Sequence, residues 1–305
     1  MTASSATPHS SPTTQAVVEA APPTRSRQLL AALVRDRLAL LGLILVALLV
    51  LAAIFAPWLA PYPEQGAGVA EVGDRNLAPS AAHWLGTDAL GRDLLSRIIM
   101  GARPALLTPL AVVGLAILIG VPLGLVAGYR GGRLDELIMR VADMFLAFPP
   151  LLLAMVIVAL LGPSLLNAAL ALAVSWWPWY ARLVRGLTAS LRERPFVEGA
   201  RTLGLRDTTV LVRHVLPNAA APVIVQASVD IGTVILAAGS LAFLGLGAQP
   251  PVPDWGLMVA EGRTYVLSQW WLSAFPGAAI FLAVLGFNLL GDALRDVLDP
   301  RSVTK

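Results

Sequence analysis

The chain has 305 residues, 57% of them hydrophobic and 13% charged, with a formal net charge of +3. Soluble domains carry about 25% charge, so this balance excludes an ordinary water-soluble globule and a disordered chain and points to a membrane-embedded protein. No cysteine is present, which excludes a disulfide framework, a thiolate zinc site and a cysteine nucleophile. His9, His83 and His214 are too scattered to form a ligand motif.

The first 24 residues are rich in Ser, Thr, Ala and Pro, and 1–37 reads as a disordered cytosolic tail with a basic segment before the first helix. Residues 38–63 and 104–129 carry no charge. Each is long enough for one crossing of about 30 Å of hydrocarbon. The first run is longer than the apolar core of a cleaved signal and follows a long leader, so it reads as a retained anchor. The uncharged run 144–181 is about right for two helices, with Gly162-Pro163-Ser164 as the turn between them. Residues 215–253 are interrupted only by Asp230, and 264–291 give one more apolar run. The expectation is an all-α integral membrane protein with six transmembrane helices, near 38–60, 104–128, 143–161, 165–184, 220–246 and 272–292. The membrane domain then covers 38–300, and 301–305 form a short tail.

Arginines orient the bundle. With the N-terminus inside, the inner segments 1–37, 129–142, 182–219 and 293–305 hold 17 Lys and Arg, against 5 in the outer segments. That split predicts both termini inside. It also accounts for the basic composition without a nucleic-acid partner. Trp58, Trp270 and Trp271 fall near the expected outer boundary, where indole rings prefer to sit.

Three features within the spans stand out, and the last two admit two readings each. Asp143 lies close to Arg140, and an ion pair at the inner interface is expected. Asp230 sits about ten residues into the fifth span, where a carboxylate is costly and faces protein or water. It either lines a translocation path, meeting an ammonium group, or makes an interhelical hydrogen bond. Trp176-Trp177-Pro178-Trp179-Tyr180 either packs against another subunit or forms part of a gate.

The inner loop between spans four and five starts at Pro195. Phe196 to Leu203 reads as a short helix stopped at Gly204, a residue tolerant of the left-handed conformation. Asp207 or Thr208 can cap a second short helix running to His214–Leu216. Pro217 and Asn218 are expected to break the chain before the next span. Two short helices at an angle make a knob, and a knob fits a socket on a soluble partner; a solvated linker is the plainer reading of composition alone. The order Glu198-Gly199-Ala200, three residues, Gly204, nine residues, then His214-Val215-Leu216-Pro217 resembles the loop of ABC importer permeases that docks on the ATPase subunit. The family pattern has Ala at the position of Gly199 and Ile at that of His214. Peptide-type permeases commonly end this loop in His-x-Leu-Pro-Asn. The resemblance implies that Glu198, Gly199, Ala200, Gly204, His214, Leu216 and Pro217 belong to an ATPase-coupling loop over about 189–218.

Two outer segments narrow the resemblance. GTDALGRDLLSR, from Gly86, and LAFLGLGAQPPVPDWG, from Leu241, resemble the hallmarks of the dipeptide/oligopeptide/nickel branch, and within it the C-type subunit. In the first, Asp88 or Thr87 can cap a helix beginning near Ala89, and Arg92 can pair with Asp88 or Asp93. The resemblance implies a MetI-like type I importer fold with its core over about 100–295. It also implies a second homologous permease, two ATP-binding cassette subunits, an extracytoplasmic substrate-binding protein and multi-pass residence in the plasma membrane. The cargo would be peptides or small solutes such as nickel chelates. The one lysine is Lys305, so the chain lacks the G-x-x-x-x-G-K-[ST] phosphate loop, and ATP would be bound by partner subunits. No catalytic, cofactor or metal residues are expected. Its alternatives are a self-contained secondary transporter or channel, which usually carries several intramembrane ionisable groups, and a non-transporting scaffold.

Overall fold

A computed structural model describes residues 36–298, and within them the chain is helical. The tails expected at the two ends lie outside the described residues, save for Asp36 and Arg37. The helices are α1 (Arg37–Leu59), α2 (Pro63–Gly66), α3 (Leu94–Arg130), α4 (Gly132–Leu146), α5 (Pro150–Leu161), α6 (Leu165–Arg192), α7 (Pro195–Thr202), α8 (Asp207–Val210), α9 (Leu216–Phe243), α10 (Trp255–Gly262) and α11 (Trp271–Leu298).

Among the described residues, four helical stretches are long and apolar enough to cross a membrane: α1, α3, the run Asp207–Phe243 and most of α11. The pair α4 and α5 makes a fifth if it is counted as one bent span. The expected third span, 143–161, is therefore not one straight helix. Pro149 and Pro150 supply no amide hydrogens and push Phe148 away from helical geometry. The chain bends there by 84°. The 12 residues of α5 reach only about 18 Å. The expected fourth span lies in α6, whose 28 residues are long enough. Its aromatic run and Arg182 make it less apolar than the other four.

The second span begins earlier than expected. Asp93 caps α3, accepting from the Ser96 amide at 2.8 Å, and the helix continues past Arg97 and Arg103. Arg103 has a local reason to be there. Pro57 in α1 cannot donate to Ala53, and Arg103 Nε donates to that carbonyl at 2.8 Å.

The centre of the bundle is the seam between α3 and α6. Gly120, Gly124 and Gly128 repeat every four residues along one face of α3. A Cβ on any of them would lie 2.5 Å from a carbonyl of α6, those of Trp177, Ala181 and Arg185 respectively. Small residues at this period let helix backbones touch where no water is present to drive association. Tyr180 and Val184 fill the space beside the seam and are fully buried. The second core gathers α1, α3, α10 and α11 around Leu106, Trp255, Trp271 and Phe287.

Candidate functional site

One end of the bundle carries the elbow formed by α7 and α8. Helix α7 turns Val197 and Ala200 inward and buries both, while Glu198 and Gly199 are exposed. Phe196 and Leu203 add apolar surface to the outward side, Leu203 with 84% of its area accessible. Gly204 closes the helix at φ 79°. Its amide donates to Arg201 O at 2.9 Å and the Leu205 amide to Ala200 O at 3.3 Å, the paired bonds of a Schellman stop. A Cβ on Gly199 would meet nothing within 4 Å. The departure from alanine there is thus not forced by packing inside this chain.

Two expectations about the elbow are corrected. Asp207 does not cap the second helix; it accepts a hydrogen bond from Tyr129 Oη at 2.9 Å, tying the elbow to the C-terminal end of α3. The Arg201 guanidinium covers the same ring, 5.0 Å from its centroid. Nor does Pro217 break the chain. A π-helical turn, Leu211–Val215, precedes it, with the Leu216 amide bonding back to Leu211 O. That wider register lets the helix run on past a residue lacking an N–H. His214 in this turn and Leu216 just after it are half-buried, and Pro217 is exposed. The Asn218 side chain donates to His214 O at 2.6 Å. The expected Asp143–Arg140 pair is also replaced. Asp143 pairs with Arg182 of α6, and Arg140 with Glu136 at 2.6 Å.

Between α5, α6 and α9 lies an open cavity of about 510 Å³. Pro150, Trp176, Trp179, Gln226, Asp230 and Thr233 are among its lining residues. Asp230 is 7% exposed. Its Oδ1 accepts from Gln226 Nε2 at 3.0 Å, while its Oδ2 makes no hydrogen bond. Tyr180 and Trp176 approach the carboxylate without bonding to it. A carboxylate oxygen with no hydrogen-bond partner, in a cavity lined by two tryptophans, is chemistry suited to a cation. Of the aromatic cluster, Trp177 packs edge-on against Phe145 inside the chain and Trp179 is half exposed.

At the far end of α3 the two outer segments meet each other. The loop before α3 is not helical at Ala89, as expected for a helix capped by Asp88 or Thr87; the cap is Asp93. Asp88 instead accepts from the Leu90 and Arg92 amides and from Arg92 Nε at 2.6 Å. From the second segment, Trp255 Nε1 donates to Ile98 O at 2.9 Å. Asp254 caps α10 by accepting from the Leu257 amide at 3.0 Å. Burial pushes its carboxyl above the usual carboxylate range, with the Leu257 and Gly256 amides opposing that shift. Arg92 and Arg97 reach Glu261 of α10 at 3.3 and 3.7 Å. Sequence reading missed Arg97 and Glu261. Arg97 stands at the end of the quoted GTDALGRDLLSR segment, but Glu261 carries no local signal.

Comparison with known proteins gives consistent relatives. Residues 120–303 match the family described as binding-protein-dependent transport system inner membrane component, and residues 24–79 match the N-terminal TM domain of oligopeptide transport permease C. A probable D,D-dipeptide transport system permease protein, DdpC, of Escherichia coli K12 is 49% identical over 85% of this chain and 86% of its own. A dipeptide transport system permease protein, DppC, of Alkalihalophilus pseudofirmus is 47% identical over 88% of this chain and 87% of its own. A glutathione transport system permease protein, GsiD, of Escherichia coli O6:K15:H31 is 46% identical over 88% of each. Among solved structures, a chain of the inward-facing MetNI methionine ABC transporter aligns with a TM-score of 0.53 at 20% identity, over 68% of this chain and 97% of that one. That likeness concerns the fold.

Proposed function

The chain belongs to the family of binding-protein-dependent transport system inner membrane components, and we propose that with a homologous permease it forms the passage through which dipeptides, oligopeptides or related small solutes, such as nickel chelates, enter the cell. Membership makes it a multi-pass permease of an ABC importer rather than an enzyme, with permease and ATPase subunits as its partners. The self-contained carrier or channel and the scaffold fall away with it.

Six spans cross the plasma membrane with both termini inside, α4 and α5 together serving as the third and α6 as the fourth. The excess of arginine on the inner segments supports this orientation. Two cassette subunits bind the ATP that this chain lacks a phosphate loop to hold. An extracytoplasmic binding protein delivers the cargo. The relatives named for dipeptides and glutathione favour small peptides over nickel chelates. The cavity at Asp230 takes the cargo's ammonium group on its way through.

One observation carries the coupling assignment. Helix α7 presents Phe196, Glu198 and Leu203 outward on a helix stopped at both ends, by Pro195 and Gly204. Closure of the ATPase pair presses on this face and tilts α6 and α9, between which the elbow is strung. Because the chain has no cysteine, Leu203→Cys creates a unique thiol. In membranes it should crosslink to an ATPase subunit, in a yield that changes with ATP. Labelling of that thiol by an impermeant reagent added outside intact cells would reject the assignment.

A further inference from the structure

We propose that Asp88, Arg92, Arg97 and Glu261 form a binding site for a small zwitterion of the free amino acid class, with Arg97 receiving the carboxylate and Glu261 the ammonium. The cluster lines a cavity of about 280 Å³ between the loop before α3 and helix α10. This is below the usual range for drug-sized ligands and suits a smaller one. It shares no lining residue with the Asp230 cavity, so the proposal stands apart from the transport reading above.

The two arginines differ in what they have left to give. Arg92 is committed: its Nε donates to Asp88 Oδ2 at 2.6 Å and its Nη2 to Glu261 Oε2 at 3.3 Å. Arg97 is fully buried, yet none of its three guanidinium nitrogens makes a hydrogen bond. The same two carboxylate oxygens stand 3.6 and 3.7 Å from it, near enough to attract and too far to bond. Buried guanidinium donors are rarely left unmade, because the lost hydration is not returned. Arg97 is part of the cavity wall, and a planar fork with unused donors matches a carboxylate, which it can grip with two parallel bonds.

Charge selects the rest of the ligand. Two guanidiniums and two carboxylates leave the cluster neutral. A bare anion would meet Asp88 and Glu261, and a bare cation would meet both arginines. A zwitterion puts each end against the opposite sign. Glu261 is placed for the ammonium: its side chain is 33% exposed and only Oε2 is engaged among the described residues. Met258 and Leu272 give the cavity an apolar wall for an aliphatic side chain.

The test is calorimetric titration of the full chain, with its co-purifying subunits, in lipid nanodiscs. The probes are glycine, acetate and methylammonium. Glycine should bind saturably and about tenfold or more tighter than either single-charge analogue. Arg97→Gln should abolish glycine and acetate binding. Should that variant not fold, Glu261→Gln at the rim decides: glycine should lose its advantage over acetate, while acetate binds no more weakly than before. Asp230→Asn should leave glycine binding intact. The proposal is overturned if glycine does not saturate, if it binds no better than acetate, if Glu261→Gln has no effect, or if binding vanishes in Asp230→Asn.

Discussion

The seam between α3 and α6 and the elbow of α7 and α8 both depend on glycine, for opposite reasons. At Gly120, Gly124 and Gly128 the backbone is ordinary helix and the surroundings are crowded: a Cβ would strike a carbonyl of α6. At Gly204 the surroundings are open, and the backbone itself, at φ 79°, disfavours a side chain. The seam is a packing constraint and belongs to folding. The elbow is a conformational constraint on a projecting surface and belongs to what the surface does.

The sharpest way to break this distinction is Gly124→Leu. The new side chain begins 2.5 Å from Ala181 O, a backbone atom that cannot step aside. A loss of at least about 3 kcal/mol is expected, read as failure to recover folded chain from detergent. Gly114→Leu, on the same helix with nothing within 4 Å of its Cβ, should be recovered normally. Equal recovery of the two would dissolve the distinction. Next in size is Asp230→Ala, which touches neither glycine site. Uptake should drop by about an order of magnitude while assembly and ATP hydrolysis persist; loss of assembly would assign Asp230 to packing. Gly204→Val should cost about 1–2 kcal/mol locally, leave the chain folded, and separate hydrolysis from uptake. Normal uptake by this variant counts against the coupling role of the elbow. Smallest is Gly199→Ala: with open space around its Cβ and helical backbone, stability should rise by about 0.5–1 kcal/mol and uptake should not change.

How far these regions could be read beforehand follows from how local their causes are. The elbow was legible because its stop is written in adjacent residues: Pro195 starts α7, and the Gly204 turn ends it. The adjacent prolines 149 and 150 carried an equally local signal for the 84° bend, which the search for an uncharged stretch passed over. The glycine repeat at 120, 124 and 128 was also open to a search at period four. Other features had causes far away in sequence. Arg97 and Arg103 looked like the limit of a span, but one is buried beside Glu261 and the other repairs the carbonyl freed by Pro57. The π turn that carries the helix past Pro217 depends on a register that no single residue announces. Asp207 reads as a cap until the fold brings Tyr129 to it.

Tyr129, which holds the elbow through Asp207, and Arg97, which sits in the ion cluster with Glu261, are residues of the same unbroken helix. Their separation of 32 positions corresponds to about 48 Å along its axis. Leverage over that length is large: a tilt of about 5° at one end sweeps the other through about 4 Å. That exceeds the difference between the bonded Arg92–Asp88 contact at 2.6 Å and the unbonded Arg97–Asp88 contact at 3.6 Å. A tilt imposed where Tyr129 meets Asp207 would therefore displace the charges around Arg97 at the other end of the helix.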